Sequence, residues 1–198
     1  MRVPRTLAIT PPRPGPWIAE LEILAKAGVD GVLVRILEDR HRLQDVIAAT
    51  VGFPVRMLRW VDDGDGQRAA DHGLGLHLPD RDWPPLDRAS GGLRSASCHD
   101  RQRVQDAAAA GFDFVTLAPI FAPGSKPGDR RPTLGLAGLS AAVGPLPVVA
   151  LGGLSVQAAS GMRDAGAAGV ASITAFFGPD GVRAHNAAAI VAVMQGGR

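Results

Sequence analysis

Ala110-Gly111-Phe112-Asp113-Phe114-Val115-Thr116-Leu117-Ala118 joins a helical stretch to a buried strand through one glycine. The residues before it, Gln102–Ala110, carry helical periodicity, and Phe112–Ala118 is close to a continuous apolar run. Such a run is expected of a strand covered on both faces. Gly111 stands where the helix must stop and reverse, which asks for the left-handed backbone that glycine adopts cheaply. The arrangement recurs: Ala27-Gly28 precedes Gly31–Arg35, His72-Gly73 precedes Leu74–Leu78, and Ala165-Gly166 precedes Gly169–Ile173. Arg5–Thr10, Val55–Trp60, Leu93–Ser97 and Pro147–Leu151 complete eight candidate strands. Helical stretches at Trp17–Ala27, His41–Thr50, Val156–Ala165 and His185–Met194 fall between them. Eight units in 198 residues leave about 25 residues each, enough for a βα unit with two short connections. The alternation predicts an α/β fold with a parallel sheet, closed into a single (β/α)8 TIM barrel over residues 1–198. An open doubly wound sheet would satisfy the same pattern.

Composition fits a globular chain, with 46% hydrophobic and 20% charged residues. The formal net charge is +2, and only Lys26 and Lys126 are lysines among 21 basic residues. The arginines are scattered, so no basic arm or stripe suggests nucleic acid. Cys98 is the single cysteine, which excludes an internal disulfide and a multi-cysteine metal site. No apolar run approaches about 20 residues, and Met1–Thr10 lacks the pattern of a secretory signal. A cytoplasmic protein acting on small molecules is expected, with no membrane partner. The sequence is compatible with a homo-oligomer.

In a barrel, functional groups gather at the C-terminal ends of the strands. Those ends read Arg35, Asp62-Asp63, His77–Asp82, Ser97–Asp100, Ala118–Lys126, Gly152-Gly153 and Thr174. Asp62-Asp63-Gly64-Asp65 opens a helix, where a carboxylate commonly serves as a cap. Asp63 and Asp82 lie on adjacent strands, however. Two hard carboxylates near a phosphorylated substrate suit Mg²⁺, which keeps several waters and takes one or two protein ligands. Val149–Ser155 runs from a strand through Gly152-Gly153 into a helix, a turn that either packs tightly or cradles phosphate. Pro119–Pro132 is long and polar for so compact a chain, as lids and binding loops are. Its Lys126 is either a solvated charge or a compact partner for a diphosphate oxygen. Asp100 reads as a helix cap, Cys98 and His99 as a poor nucleophilic pair, and His77 as packed or hydrogen-bonded. Trp17, Trp60 and Trp83 read as core or lid residues.

Taken together, these stretches resemble the thiamine phosphate synthase family, which also contains thiazole tautomerases. The resemblance rests on Gly111–Val115, Pro119-Ile120-Phe121, Ser125-Lys126-Pro127, Leu134–Leu139, Pro147–Gly153 and Ala165–Phe177. A weaker likeness, by spacing, runs through Val29–Arg35 and Asp62–Pro84. It implies a (β/α)8 transferase that couples hydroxymethylpyrimidine diphosphate to thiazole phosphate, releasing pyrophosphate and forming thiamine phosphate. It also implies Mg²⁺ held by Asp63 and Asp82, with Lys126 and Arg35 as catalytic residues. Ser97 would meet the pyrimidine diphosphate, Ser125, Gly153, Ile173 and Thr174 the thiazole phosphate, and Asp62 and Gly152 would also contact substrate.

The chain departs from the family at named points. Leu33-Val34-Arg35-Ile36-Leu37 stands where the family has Gln-x-Arg-Glu-Lys, so an amide and an ammonium are replaced by leucines. Asp62 replaces Asn, Pro79-Asp80-Arg81 a Gly-Gln-Glu run, Pro123 a threonine, and Thr174 a serine. Arg81, Arg130 and Arg131 are the cations placed to compensate. Pro119 occupies the position of the tautomerase histidine. Two alternatives stand beside the synthase: a divergent barrel acting as a thiazole tautomerase-like enzyme or on another phosphorylated heterocycle, and a non-catalytic binder of one.

Overall fold

The computed structural model describes residues 2–81, 83, 92–122, 131–178 and 181–196. Strands β1 (Thr6–Ile9), β2 (Gly31–Val34), β3 (Val55–Arg59) and β4 (Gly75–Leu78) are followed by β5 (Arg94–Cys98), β6 (Phe114–Leu117), β7 (Val148–Leu151) and β8 (Gly169–Ser172). Seven of the eight fall within the runs expected from the sequence, and β5 extends one residue beyond its run. Neighbours pair in parallel, and β8 returns to β1 through Thr6↔Val170, Leu7↔Ala171 and Ala8↔Ser172. That ladder closes the barrel and excludes the open sheet.

Around the barrel lie α1 (Leu21–Lys26), α2 (Leu43–Ala48), α3 (Asp65–Asp71), α4 (Arg101–Ala109), α5 (Gly135–Ala142), α6 (Val156–Asp164) and α7 (Ala184–Gln195). The four helix-stop glycines, Gly28, Gly73, Gly111 and Gly166, have φ of 90, 61, 81 and 96°. The chain reverses there as the sequence pattern requires. Asp100 caps α4, its carboxylate accepting from the Arg103 N–H at 2.7 Å. The stretch Trp17–Ala27 is not one helix, because Gly15-Pro16 opens a 3-10 turn at Pro16–Glu20 before α1 begins. A short hairpin, β9 (Phe177–Gly178) with β10 (Gly181–Val182), packs Phe177 edge-on against Trp17 at 5.5 Å.

Alternation along each strand divides the buried residues into two cores. Leu7, Leu33, Met57, Phe114, Val149 and Ala171 face inward and fill the barrel. Ala8, Val32, Val34, Leu58, Val115 and Val170 face outward against Leu24, Val46, Ala107, Leu139, Met162 and Ile190 of the helical ring. Burying each large side chain contributes about 1.5–3 kcal/mol. The inner parity decides the site: on β2, β3 and β5 the inward positions that follow are Arg35, Arg59 and Ser97.

Candidate active site

A cavity of about 310 Å³ opens at the C-terminal ends of the strands. Ile9, Leu33, Leu151 and Ile173 make one side of its wall apolar, while Arg35, Arg59, His77, Ser97 and Thr116 make the other polar. Asp80, His99, Arg131, Gly152, Gly153 and Thr174 complete the lining.

At the end of β7, Gly152 and Gly153 have φ of 111 and 63°. A Cβ on Gly152 would lie 2.8 Å from the Phe121 carbonyl oxygen, and one on Gly153 2.5 Å from the Phe121 Cβ. Only glycine fits both the backbone conformation and the space. The long loop is fastened beside this turn, where the Leu134 and Gly135 N–H groups donate to the carbonyls of Pro119 and Ile120 at 3.0 and 2.9 Å.

The polar wall is organised by hydrogen bonds. His77 is 2% exposed, with Nδ1 2.8 Å from Ser95 Oγ and Nε2 3.0 Å from Ser97 Oγ. Ser95 is fully buried, so its hydroxyl proton needs an acceptor, and His77 Nδ1 is its hydrogen-bond partner among the described residues. Ser95 therefore donates to Nδ1. Nε2–H then donates to Ser97 Oγ, which leaves the Ser97 hydroxyl free to donate to a bound molecule. Burial first, and Arg59 second, push the His77 pKa down to about 3. The ring is therefore neutral at physiological pH and is no general acid there. Burial lowers the pKa of Arg35, and burial followed by the charges of Arg35 and Arg81 lowers that of Arg59. Both guanidiniums stay protonated. The Cys98 thiol is buried, first desolvation and then Asp80 pushing it up to about 12, and it donates to the Arg103 carbonyl at 3.4 Å. It is no nucleophile.

The structure brings Arg35, Ser97, Gly152, Gly153, Ile173 and Thr174 to this one cavity. Asp63 lines a separate, shallow depression with Trp60, Arg81 and Trp83, which shares Pro79 with the main cavity. Asp62 is turned into an ion-pair cluster, 2.7 Å from Arg68 and 3.3 Å from Arg40. Its neighbour Asp65, fully buried, accepts from the Val61 and Asp62 N–H groups at 2.7 and 3.0 Å. Asp82, Ser125 and Lys126 lie outside the described residues. Leu33 forms cavity wall at 2% exposure, and the Leu37 N–H is tied to the Pro12 carbonyl at 2.9 Å. Arg59 was not among the expected site residues. The signal for it was parity: an arginine two positions after Met57 on a buried strand faces the same way as Met57. His99 was also undervalued; its Nδ1–H donates to the Ala118 carbonyl at 2.5 Å, and Arg131 lies 3.2 Å from its Nε2.

Residues 7–176 match the family model described as thiamine monophosphate synthase. The thiamine-phosphate synthase of Methanoculleus marisnigri is 41% identical over 177 residues, covering 83% of this chain and 82% of that protein. The chain belongs to the thiamine monophosphate synthase family. Another family member, the thiamine-phosphate synthase of Latilactobacillus sakei, is 36% identical over 108 residues, covering 51% of this chain and 48% of that protein. The chain thus aligns with about half the length of some relatives and with four fifths of another. Thiamine phosphate pyrophosphorylase from Pyrococcus furiosus has the same fold, with a TM-score of 0.79 over 97% of this chain and 96% of that one at 18% identity. No helix among the described residues is long and apolar enough to cross a membrane.

The family resemblance implies Mg²⁺, and the residues present set its terms. No group of three or more potential ligands occurs among the described residues, so an all-protein cage is not formed by them. Mg²⁺ does not need one, since it retains most of its water and takes one or two carboxylates. Asp63 is exposed at the rim and enters no ion pair among the described residues, whereas Asp62, Asp65 and Asp80 are engaged by arginines. Asp63 fits a largely hydrated ion.

Proposed function

We propose that this protein is a thiamine-phosphate-synthase-like transferase that joins hydroxymethylpyrimidine diphosphate to thiazole phosphate in the cytoplasm. The observation that carries the reading is the two-sided cavity: guanidiniums on β2 and β3 face a glycine turn on β7 across a partly apolar pocket. A substrate pair with an anionic group at each end and flat heterocycles between them matches that distribution.

In this reading Gly152-Gly153 and Thr174 receive the phosphate of the thiazole, the glycines because no Cβ blocks approach to their backbone. Arg35, with Lys126 from the long loop, holds the diphosphate of the pyrimidine. The Ser97 hydroxyl donates to an acceptor on that substrate. The bond between the pyrimidine methylene carbon and the diphosphate oxygen breaks, and its electron pair leaves with pyrophosphate. The thiazole nitrogen then supplies the electron pair of the new carbon–nitrogen bond. Arg35 stabilises the charge gathering on the departing oxygens, and Ile9, Leu151 and Ile173 keep water from the reactive pyrimidine cation. Asp63 and Asp82 would hold Mg²⁺, which when bound supplies further positive charge for the leaving group. The substitution calls for no general base, in keeping with a neutral, doubly hydrogen-bonded His77.

Incubating the purified protein with both substrates and Mg²⁺ should yield thiamine phosphate and pyrophosphate. No product under saturating conditions rejects the reading. The replacement of the family's glutamine by Leu33 in the cavity wall favours a second reading, a binder of phosphorylated heterocycles without turnover. Ligand binding with no product, unaffected by Asp63→Ala, is its signature.

A further inference from the structure

Among the described residues, two cations in the cavity wall lack the partners that half-buried guanidiniums ordinarily have. The β2–β3 ladder pairs Leu33 with Met57 and Val34 with Leu58, so Arg35 and Arg59 come next, side by side. Both line the cavity, and neither enters an ion pair with a described residue. The Nε of Arg59 is buried without a hydrogen-bond partner among the described residues. The carboxylate that lines the same cavity among the described residues, Asp80, is already engaged 2.6 Å from Arg103 and 3.7 Å from His99. On the other flank the ladder pairs Arg59 with His77, whose neutral ring brings no negative charge. Arg81 adds a further positive charge felt by Arg59. A buried cation without a counter-charge destabilises the folded state, so the cost is offset when a ligand supplies the anion.

We propose that Arg59 joins Arg35 in a side-chain clamp that binds a diphosphate directly, without a divalent cation. Two adjacent planar forks present several N–H donors toward the cavity, a match for oxygens on two linked phosphoryl groups rather than one. Arginine is suited to the position because it stays protonated despite burial and a like-charged neighbour. The clamp and any Mg²⁺ at Asp63 occupy different parts of the rim, so the diphosphate is gripped first by protein and the ion adds to a group already held. This inference rests on reading the cavity as a diphosphate site; it does not require turnover.

The probe is pyrophosphate, titrated calorimetrically into EDTA-treated protein at low ionic strength, with inorganic phosphate in parallel. Wild-type protein should bind pyrophosphate without Mg²⁺ and more tightly than phosphate. Arg59→Met should weaken pyrophosphate by about 10- to 100-fold, the loss expected of charge-assisted hydrogen bonds. Arg101→Met, at an exposed position on α4, should change nothing. Unliganded Arg59→Met should also melt at or above the wild-type temperature, because it removes an uncompensated charge. A purely structural arginine would instead give a lower melting temperature. Arg59→Lys and Arg59→Gln provide the same comparison if the methionine variant does not fold. Binding that appears only with Mg²⁺, or an Arg59→Met variant that binds as well as wild type, overturns the clamp. Metal-free binding without thiamine phosphate formation would defeat the proposed reaction while leaving the clamp standing. Synthesis with pyrophosphate binding indifferent to Arg59 would do the reverse.

Discussion

In the proposed reaction the two sides of the barrel mouth would handle negative charge by opposite means. On the β7 side the elements are Gly152 and Gly153, with left-handed backbone and no side chain, so a site there is made of geometry. On the β2–β3 side they are Arg35 and Arg59, crowded together without counter-charges among the described residues, so a site there is made of charge. The glycine turn is held in shape by its neighbours and needs no ligand to be stable. The guanidinium side stores an electrostatic cost that a ligand relieves. The first should be fragile toward any added Cβ and nearly indifferent to salt. The second should tolerate changes of shape and respond to every change of charge.

The largest effect is expected at Gly153. An alanine there would sit at φ 63° with its Cβ 2.5 Å from the Cβ of Phe121, so backbone and loop must both shift. Strain of this kind costs about 1–3 kcal/mol. Gly153→Ala should therefore lower the melting temperature and raise the KM for thiazole phosphate more than that for the pyrimidine substrate. An unchanged thiazole phosphate KM would remove the β7 turn from the site. On the opposite side, Arg35→Met should reduce kcat/KM by about 10- to 100-fold through the pyrimidine diphosphate, and leave the fold intact. Raising the salt concentration should weaken pyrophosphate far more than it disturbs thiazole phosphate. Equal salt dependence of the two would erase the distinction between the sides.

The same contrast explains which features are legible in the sequence. The glycines of the helix stops and of the β7 turn advertise themselves, because few other residues take a positive φ and their spacing is local. Closure of the barrel followed from counting eight units, although the β8–β1 ladder itself joins residues more than 160 positions apart and has no local signature. Arg59 was overlooked for a different reason. Asp62 and Asp63 are the conspicuous polar residues after the strand, while the inward parity set by Val55 and Met57 points to the strand's own last residue. Asp62 illustrates the converse: a carboxylate at a rim looks like a site residue until Arg40 and Arg68 arrive from elsewhere in the fold to engage it. Helix α5 has no side-chain cap at Leu134, so it lacked the start signal that marked α4.

A pH-dependent effect belongs to the charged side alone. His77 has a folded pKa of about 3 against an ordinary value of 6.5. The unfolded chain therefore takes up this proton first as the pH falls. Stability due to the neutral ring is complete above about pH 6.5 and is lost progressively down to pH 3, by at most about 1.4 kcal/mol per pH unit. Denaturant unfolding between pH 7 and pH 4 should show that decline, and His77→Gln, which can still bond to both serines, should flatten it. If the two proteins lose stability in parallel, His77 is not the group responsible.

The smallest expected effect sharpens the comparison most, because it separates a group that touches substrate from one that aims it. Ser97 lines the cavity, whereas Ser95 is fully buried and reaches it only through His77. With Ser95 donating to Nδ1, the ring must give its Nε2 proton to Ser97 Oγ, and the Ser97 hydroxyl points its own proton outward. Ser97→Ala should raise the KM for the pyrimidine substrate by about two- to tenfold, the range of a neutral hydrogen bond of 0.5–1.5 kcal/mol. Ser95→Ala should produce a weaker change in the same direction, together with a shift of His77 away from the Nε2–H tautomer visible in its nitrogen chemical shifts. A Ser95→Ala variant that alters KM while His77 keeps its tautomer would mean that Ser95 acts by packing, and the orienting role of the imidazole would be lost.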